Sequence, residues 1–215
     1  MPPRPTTDSR RAQIVAALLP VLARNGYGKA TIVEIARQAG LAPGLIHYHF
    51  ANKREILVSL VRSMVEYANT RFEQATAAAH TPLDRLRAHL DSRLALGDGA
   101  NADMAAAWVM IGAEAVREPE VRTVYQEAIA AELQALTQLI ADALRDAGRD
   151  ESVAPRLAGA LLALMEGAFQ LASAAGDVMP VGYAAEAAWN HARLGIAAAP
   201  GRKPARRARA AAPAG

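Results

Sequence analysis

Apolar residues recur at three- and four-residue spacing along nearly all of this 215-residue chain, and almost no segment alternates with period two. That periodicity builds helices and leaves little material for a sheet. Alanine and leucine dominate over valine and threonine, which fits, because unbranched side chains keep their rotamer freedom on a helix. An all-α fold of about nine helices is expected, since Gly26, Gly40, Pro82, Gly97-Asp98-Gly99, Pro119, Gly148, Pro155, Gly176 and Pro180 punctuate the pattern. The helices are expected near 9–24, 31–39, 43–50, 52–67, 82–97, 103–117, 120–147, 153–175 and 181–197.

The first three of these have strong end signals. Gly26 suits the left-handed residue that closes a first helix. Thr31 and Glu34 have the spacing of a capping box, in which the threonine oxygen bonds the amide three residues on and the glutamate reaches back. Gly40 stops that second helix, and Pro43 suits the first turn of a third, where a missing amide hydrogen costs nothing. Asn52 and Glu55 then cap a long helix that links to the rest. Two short helices around Gly40-Leu41-Ala42, braced by a preceding helix, make a tri-helical helix-turn-helix. Ile35, Ala36, Ala39, Leu41, Leu45, Ile46 and Phe50 are its expected packing set. A major groove about 12 Å wide admits one helix, so Pro43, Gly44, His47 and Tyr48 are the candidates to reach base edges. His47 and His49 point roughly 200° apart around a helix, so they do not share a metal ion.

Charge is segregated in the same way. Residues 1–55 hold eight Lys/Arg against three Asp/Glu, residues 56–197 eleven against eighteen, and residues 198–215 five against none. A basic module beside an acidic one suggests that the first faces a polyanion, with nucleic acid the obvious case. The reading is three parts: a helix-turn-helix domain over 1–55, a helical sensing and dimerising domain over 56–197, and a basic tail over 198–215. The tail is rich in Ala, Pro and Arg, buries little, and is expected to lack order. No uninterrupted apolar run of bilayer-spanning length is present, and the first residues lack a signal-peptide pattern. A cytoplasmic protein with no membrane contact is expected. The absence of cysteine excludes disulfides and thiolate chemistry. With no phosphate loop and no elbow serine either, neither an enzyme nor a cofactor or metal is expected.

The run from Thr31 to Leu57 resembles the N-terminal signature of TetR-type repressors: a turn glycine at Gly40, a His-Phe pair at His49-Phe50, and a lysine shortly after at Lys53. The resemblance implies that Lys53, the amide end of its helix and Thr31 contact phosphate, while residues 43–48 read bases. His47 stands where the family usually has tyrosine, which puts that contact on His47 or Tyr48. Together with His49 these form the expected DNA-binding set. The C-terminal half resembles the choline-responsive repressors of the betaine pathway, through Ala107-Trp108, Glu114-Ala115, Pro119, Tyr125 and the apolar run from Leu161 to Leu171. The resemblance implies a homodimer on a palindromic operator and a small-molecule effector of unspecified identity.

Residues 155–175 are apolar nearly all round, so that helix must be covered on more than one side. Leu157, Leu161, Leu164, Ala168 and Leu171, with Ala185, Ala188, Trp189 and Ala192 on the last helix, are the expected four-helix dimer contact. Trp108, Glu114, Tyr125, Glu166, Phe169 and Gln170 are the expected ligand-binding set, where a carboxylate beside aromatic rings suits a cation. The competing reading is a DNA-coating architectural protein that uses its basic ends without an effector.

Overall fold

The computed structural model describes residues 6–94 and 102–202. Among them are nine α-helices, α1 (Thr7–Lys29), α2 (Ile32–Ala39), α3 (Pro43–His49), α4 (Lys53–Thr76), α5 (Pro82–Leu94), α6 (Ala102–Ala115), α7 (Pro119–Asp146), α8 (Ala154–Ala175) and α9 (Tyr183–Ala198). The expected break at Gly97-Asp98-Gly99, the first five residues and the basic residues Lys203, Arg206, Arg207 and Arg209 lie outside the described residues.

Local chemistry sets the helix ends much as the sequence suggests. The Thr31–Glu34 capping box is complete, with Glu34 N donating to Thr31 Oγ1 at 3.2 Å and Thr31 N to Glu34 Oε2 at 3.0 Å. Gly40 takes the left-handed conformation at φ 66°, which lets Leu41 N bond back to Ala36 O at 2.9 Å and close α2. Asn52 Oδ1 accepts from Glu55 N at 3.0 Å at the start of α4. Gly26 departs from expectation: at φ 70° it kinks α1, and the helix resumes as far as Lys29. Residues 199–202 also differ from the expected loose tail. Asp150 N donates to Pro200 O at 2.8 Å and Arg202 N to Gly148 O at 3.0 Å, which pins this stretch to the α7–α8 turn.

Two apolar cores run through the molecule; the first crosses the boundary expected near residue 55, and the second lies wholly beyond it. The first joins α1–α4 to α6 and the start of α7: Ile14, Leu18, Ile35, Ile46, Phe50 and Ile56 meet Ala107, Ile111 and Val121, each no more than 1% exposed. The second joins α5, the later part of α7, α8 and α9 around Leu86, Leu136, Ile140 and Leu161. The interior of the helix-turn-helix is continuous with that of α4, α6 and the start of α7.

This arrangement corrects four of the nine expected dimer contacts. Leu161, Ala168, Ala188 and Ala192 are buried in the second core of their own subunit, and Leu164 and Ala185 pack against it. Leu157 lies on Gly195, its Cδ2 2.9 Å from where a Cβ would stand, and Trp189 is covered by the Arg87 guanidinium at 5.1 Å. Of the nine, Leu171 alone faces outward as an exposed residue. Large aliphatic residues fill the subunit interior first, so the face left open on α8 and α9 consists of small ones, among them Gly159, Ala163, Gly167 and Ala187, with Leu194.

The segment Glu151–Val178, spanning α8 and its flanking 3-10 turns, is long and apolar enough by length and composition to cross a membrane. It is not an unbroken apolar run, because Arg156 and Glu166 interrupt it. The core helix of a water-soluble protein passes the same test, and one side of α8 does line the second core.

Because α6 shares an interior with the helix-turn-helix, Ile111→Ala is expected to cost about 2 to 5 kcal/mol. Denaturant unfolding should remain one transition whether followed by a probe in α1–α3 or in α7; separate midpoints would contradict the shared core.

Candidate nucleic-acid interface and ligand cavity

The turn between α2 and α3 places α3 on the outside of its unit. Ile46 is fully buried beneath it, whereas Pro43, Gly44, His47 and Tyr48 are exposed, Tyr48 to 77%. A ring so exposed on a short, well-anchored helix has no packing role within the subunit. A Cβ at Gly44 would meet nothing within 4 Å, so this end of α3 is open to close approach. Arg11 anchors the far end of α3. Its guanidinium donates to His49 O, pairs with Glu55 Oε1 at 2.9 Å and covers the Phe50 ring at 4.0 Å. His49 is accordingly half-buried, with its ring edge-on to Tyr48 at 5.0 Å.

Two of the expected phosphate contacts are already engaged. The Thr31 hydroxyl serves the cap and donates to Glu34 Oε2 at 3.0 Å, and the bonds from Thr31 hold the Glu34 carboxyl below the usual carboxylate range. Lys53 turns inward, donates to Tyr27 O at 2.6 Å and sits 4.1 Å over the Tyr27 ring. Exposed Arg37 and Arg54 add to the positive surface of this unit. Arg37 is a basic residue that sequence reasoning passed over, since nothing in its spacing marks it.

A cavity of about 190 Å³ lies among α4–α9. Met64, Met104, Ile129, Leu162, Met165 and Phe169 are among its apolar walls, and its polar groups include Arg71, Arg93, Glu132, Glu166 and Tyr183. Three of the six expected ligand residues, Trp108, Glu166 and Phe169, line it. Tyr125 stands behind them. Its hydroxyl donates to Glu166 Oε2 at 2.9 Å, Trp108 Nε1 donates to both Glu166 oxygens at 3.1 Å, and the two rings meet at 4.9 Å. Burial, reinforced by Glu166, pushes the Tyr125 hydroxyl up. Gly112 permits the contact, because Tyr125 Oη lies 3.3 Å from where its Cβ would stand.

Glu114 and Gln170 do not belong to this site. Glu114 reaches the α1 kink instead, and Gln170 is exposed on the outer face of α8. Helical periodicity groups residues by face and does not say which face looks inward, and this is why both were misplaced.

Sequence reasoning missed the polar cluster at one wall of the cavity. His89, buried on α5, donates from Nε2 to Glu132 Oε1 at 2.6 Å, and Arg93 bonds Glu132 Oε2 at 3.0 Å. Burial alone would raise the Glu132 pKa, but the bonds and charges of His89 and Arg93 outweigh it and hold it at about 2. Arg93 Nη1 and Tyr183 Oη are buried with no partner among the described residues. His89 and Glu132 stand 43 residues apart, so no local pattern reports them as a pair.

The family profile for "Bacterial regulatory proteins, tetR family" matches residues 14–60, and that for the C-terminal domain of LmrA/YxaF-like transcriptional regulators matches residues 82–187. The chain belongs to the TetR family. It is 34% identical over 113 residues to the HTH-type transcriptional regulator BetI of Rhizobium meliloti, covering 53% of this chain and 55% of that one. The chain thus spans about half the length of this curated relative. Among solved structures, a TetR-family regulator from Rhodococcus superposes with a TM-score of 0.74 at 21% identity over 86% of this chain and 97% of its own. A transcriptional regulator from Saccharomonospora viridis, solved in complex with choline, gives 0.68 at 23% identity over 91% of this chain and 100% of its own. These structures show the fold. The proteins named are transcriptional regulators, not enzymes.

A carboxylate held at about 2 stabilises the fold above its unfolded value of 4.5 and loses that contribution as pH falls between the two. Glu132→Gln is therefore expected to cost about 3 kcal/mol at neutral pH and to flatten the stability profile below about pH 4.5. Urea unfolding across a pH series checks this, and an unchanged acid slope would contradict it.

Proposed function

We propose that this TetR-family chain is a DNA-binding transcriptional regulator acting in the cytoplasm as a homodimer, and that it leaves a palindromic operator when a small molecule enters the α4–α9 cavity. The observation that carries the reading is α3: a short helix fixed from below by Ile46 and Phe50 that offers Pro43, Gly44, His47 and Tyr48 to solvent on a net-basic unit. Base reading is assigned to those four residues. Thr31, His49 and Lys53 stand at the margins, and Lys53 has to release Tyr27 before it can meet a phosphate.

The open face of α8 and α9 supports dimerisation. Leu171 and Leu194 are 41% and 57% exposed, next to small residues that let two backbones approach closely. Two copies joined there would present two α3 helices, as a palindromic site requires. The cavity supports an effector because its walls are largely apolar while Glu166, Arg93 and Tyr183 bring convergent polar groups. A protein of the same fold holds choline in its solved complex, which supports a small-molecule effector here without fixing its identity.

Selecting duplexes from a random pool is expected to yield an inverted repeat, and Tyr48→Ala should weaken its binding by about 1 to 3 kcal/mol with little change in thermal stability. Leu194→Glu is expected to give monomers in sedimentation and to lose the inverted repeat. Recovery of no preferred duplex by the wild type would overturn the reading.

A further inference from the structure

The kink in α1 is gripped by three carboxylates from the α6–α7 corner. Glu114 Oε1 stands 2.7 Å from where a Cβ would lie on Gly26, and Glu118 Oε1 stands 3.6 Å from the same position on Gly28. Between them, Tyr27 Oη donates to Glu120 Oε2 at 3.4 Å. Gly26 is the position that favours glycine, since it holds φ 70° and a Cβ there would press on the Glu114 carboxylate, whereas a Cβ at Gly28 would make ordinary contact with Glu118.

Lys53 reaches into the same place from the first turn of α4, bonding Tyr27 O and lying against the Tyr27 ring. Burial draws its pKa down, and the charges of Glu118, Glu120 and Glu114 push it back up. The same three carboxylates therefore help keep a half-buried ammonium charged. Burial, with the Glu120 charge and bond behind it, lifts the Tyr27 hydroxyl to about 12, so it stays a donor in this joint.

An ammonium on a flexible stem can serve one anionic site or another, but not two that lie apart. We propose that the Glu114–Glu118–Glu120 corner competes with DNA phosphate for Lys53, so that the seating of α6 and α7 against the α1 kink sets DNA affinity through this one side chain. The proposal rests on the DNA-binding reading above. It makes Lys53 a side chain shared by the two halves of the molecule, held on Tyr27 within the field of the three carboxylates rather than paired with any one of them. When α6 or α7 draws tighter onto Gly26–Gly28, the ammonium is held. When the corner loosens, Lys53 is free to swing outward.

A double-mutant cycle tests this with the full-length protein and the selected inverted-repeat duplex. Glu118→Gln with Glu120→Gln is expected to tighten DNA binding about fivefold to tenfold at moderate salt. Lys53→Met is expected to weaken it and to lower the salt slope by about one. In the Lys53→Met background the two glutamine substitutions should change affinity by less than about twofold, the signature of a contest for one ammonium. Glu127→Gln, exposed on the same helix and away from the joint, reports the long-range field alone and should act equally with or without Lys53.

The same cycle measured on unfolding of the free protein separates the two readings. Coupling between Lys53 and the corner in stability, with no binding of the wild type to any duplex, would sink the regulator reading and the competition with it while leaving the joint in place. Equal gains from Glu118→Gln and Glu120→Gln in both backgrounds, on a protein that does bind its duplex, would overturn the competition and leave the regulator standing.

Discussion

One apolar interior holds α3 and the wall of the cavity together, and the rest of the architecture depends on it. Ile46 and Phe50 beneath α3 belong to the same buried cluster as Ala107 and Ile111 on α6, one turn from Trp108 at the cavity. Close-packed interiors transmit displacement because few voids absorb it. A ligand that moves α6 must therefore move the helices that carry α3, or open the core between them at a cost of several kcal/mol.

The polar contacts refine what this core transmits. Glu166 on α8 draws in Trp108 from α6 and Tyr125 from α7, so three helices meet at one carboxylate beside the cavity. At the other end of α6, Glu114 reaches the α1 kink, and Glu118 and Glu120 follow at the start of α7. A single helix thus has one end at the cavity and the other at the joint with the DNA-facing unit. A ligand shifts such an equilibrium only by its differential affinity for the two seatings, commonly about 1 to 3 kcal/mol.

Much of the fold was legible because its signals are local. The Thr31–Glu34 box, Gly40, Pro43 and Asn52 each act through bonds within four residues, so reading them in order placed α2, α3 and the start of α4. The inward set of the helix-turn-helix followed from the same periodicity. What sequence could not supply was the direction of each helix face in the larger domain. Leu161 and Ala188 were assigned to a partner subunit, yet the interior of their own subunit takes them, because an apolar stripe looks the same whichever neighbour covers it. Glu114 was assigned to the cavity for its apolar surroundings and belongs to the kink. The His89–Glu132–Arg93 cluster depends on helices brought together across 43 residues, and no spacing rule reaches that far.

Amide hydrogen exchange on the ligand-free protein tests the central claim most directly, because it reads whether α1–α3 and α6 open together. The account predicts that the slowest amides of α1 and α6 exchange through one common opening and are slowed together when the cavity is filled. Exchange of α1–α3 through an opening of its own, with α6 still protected, would contradict it.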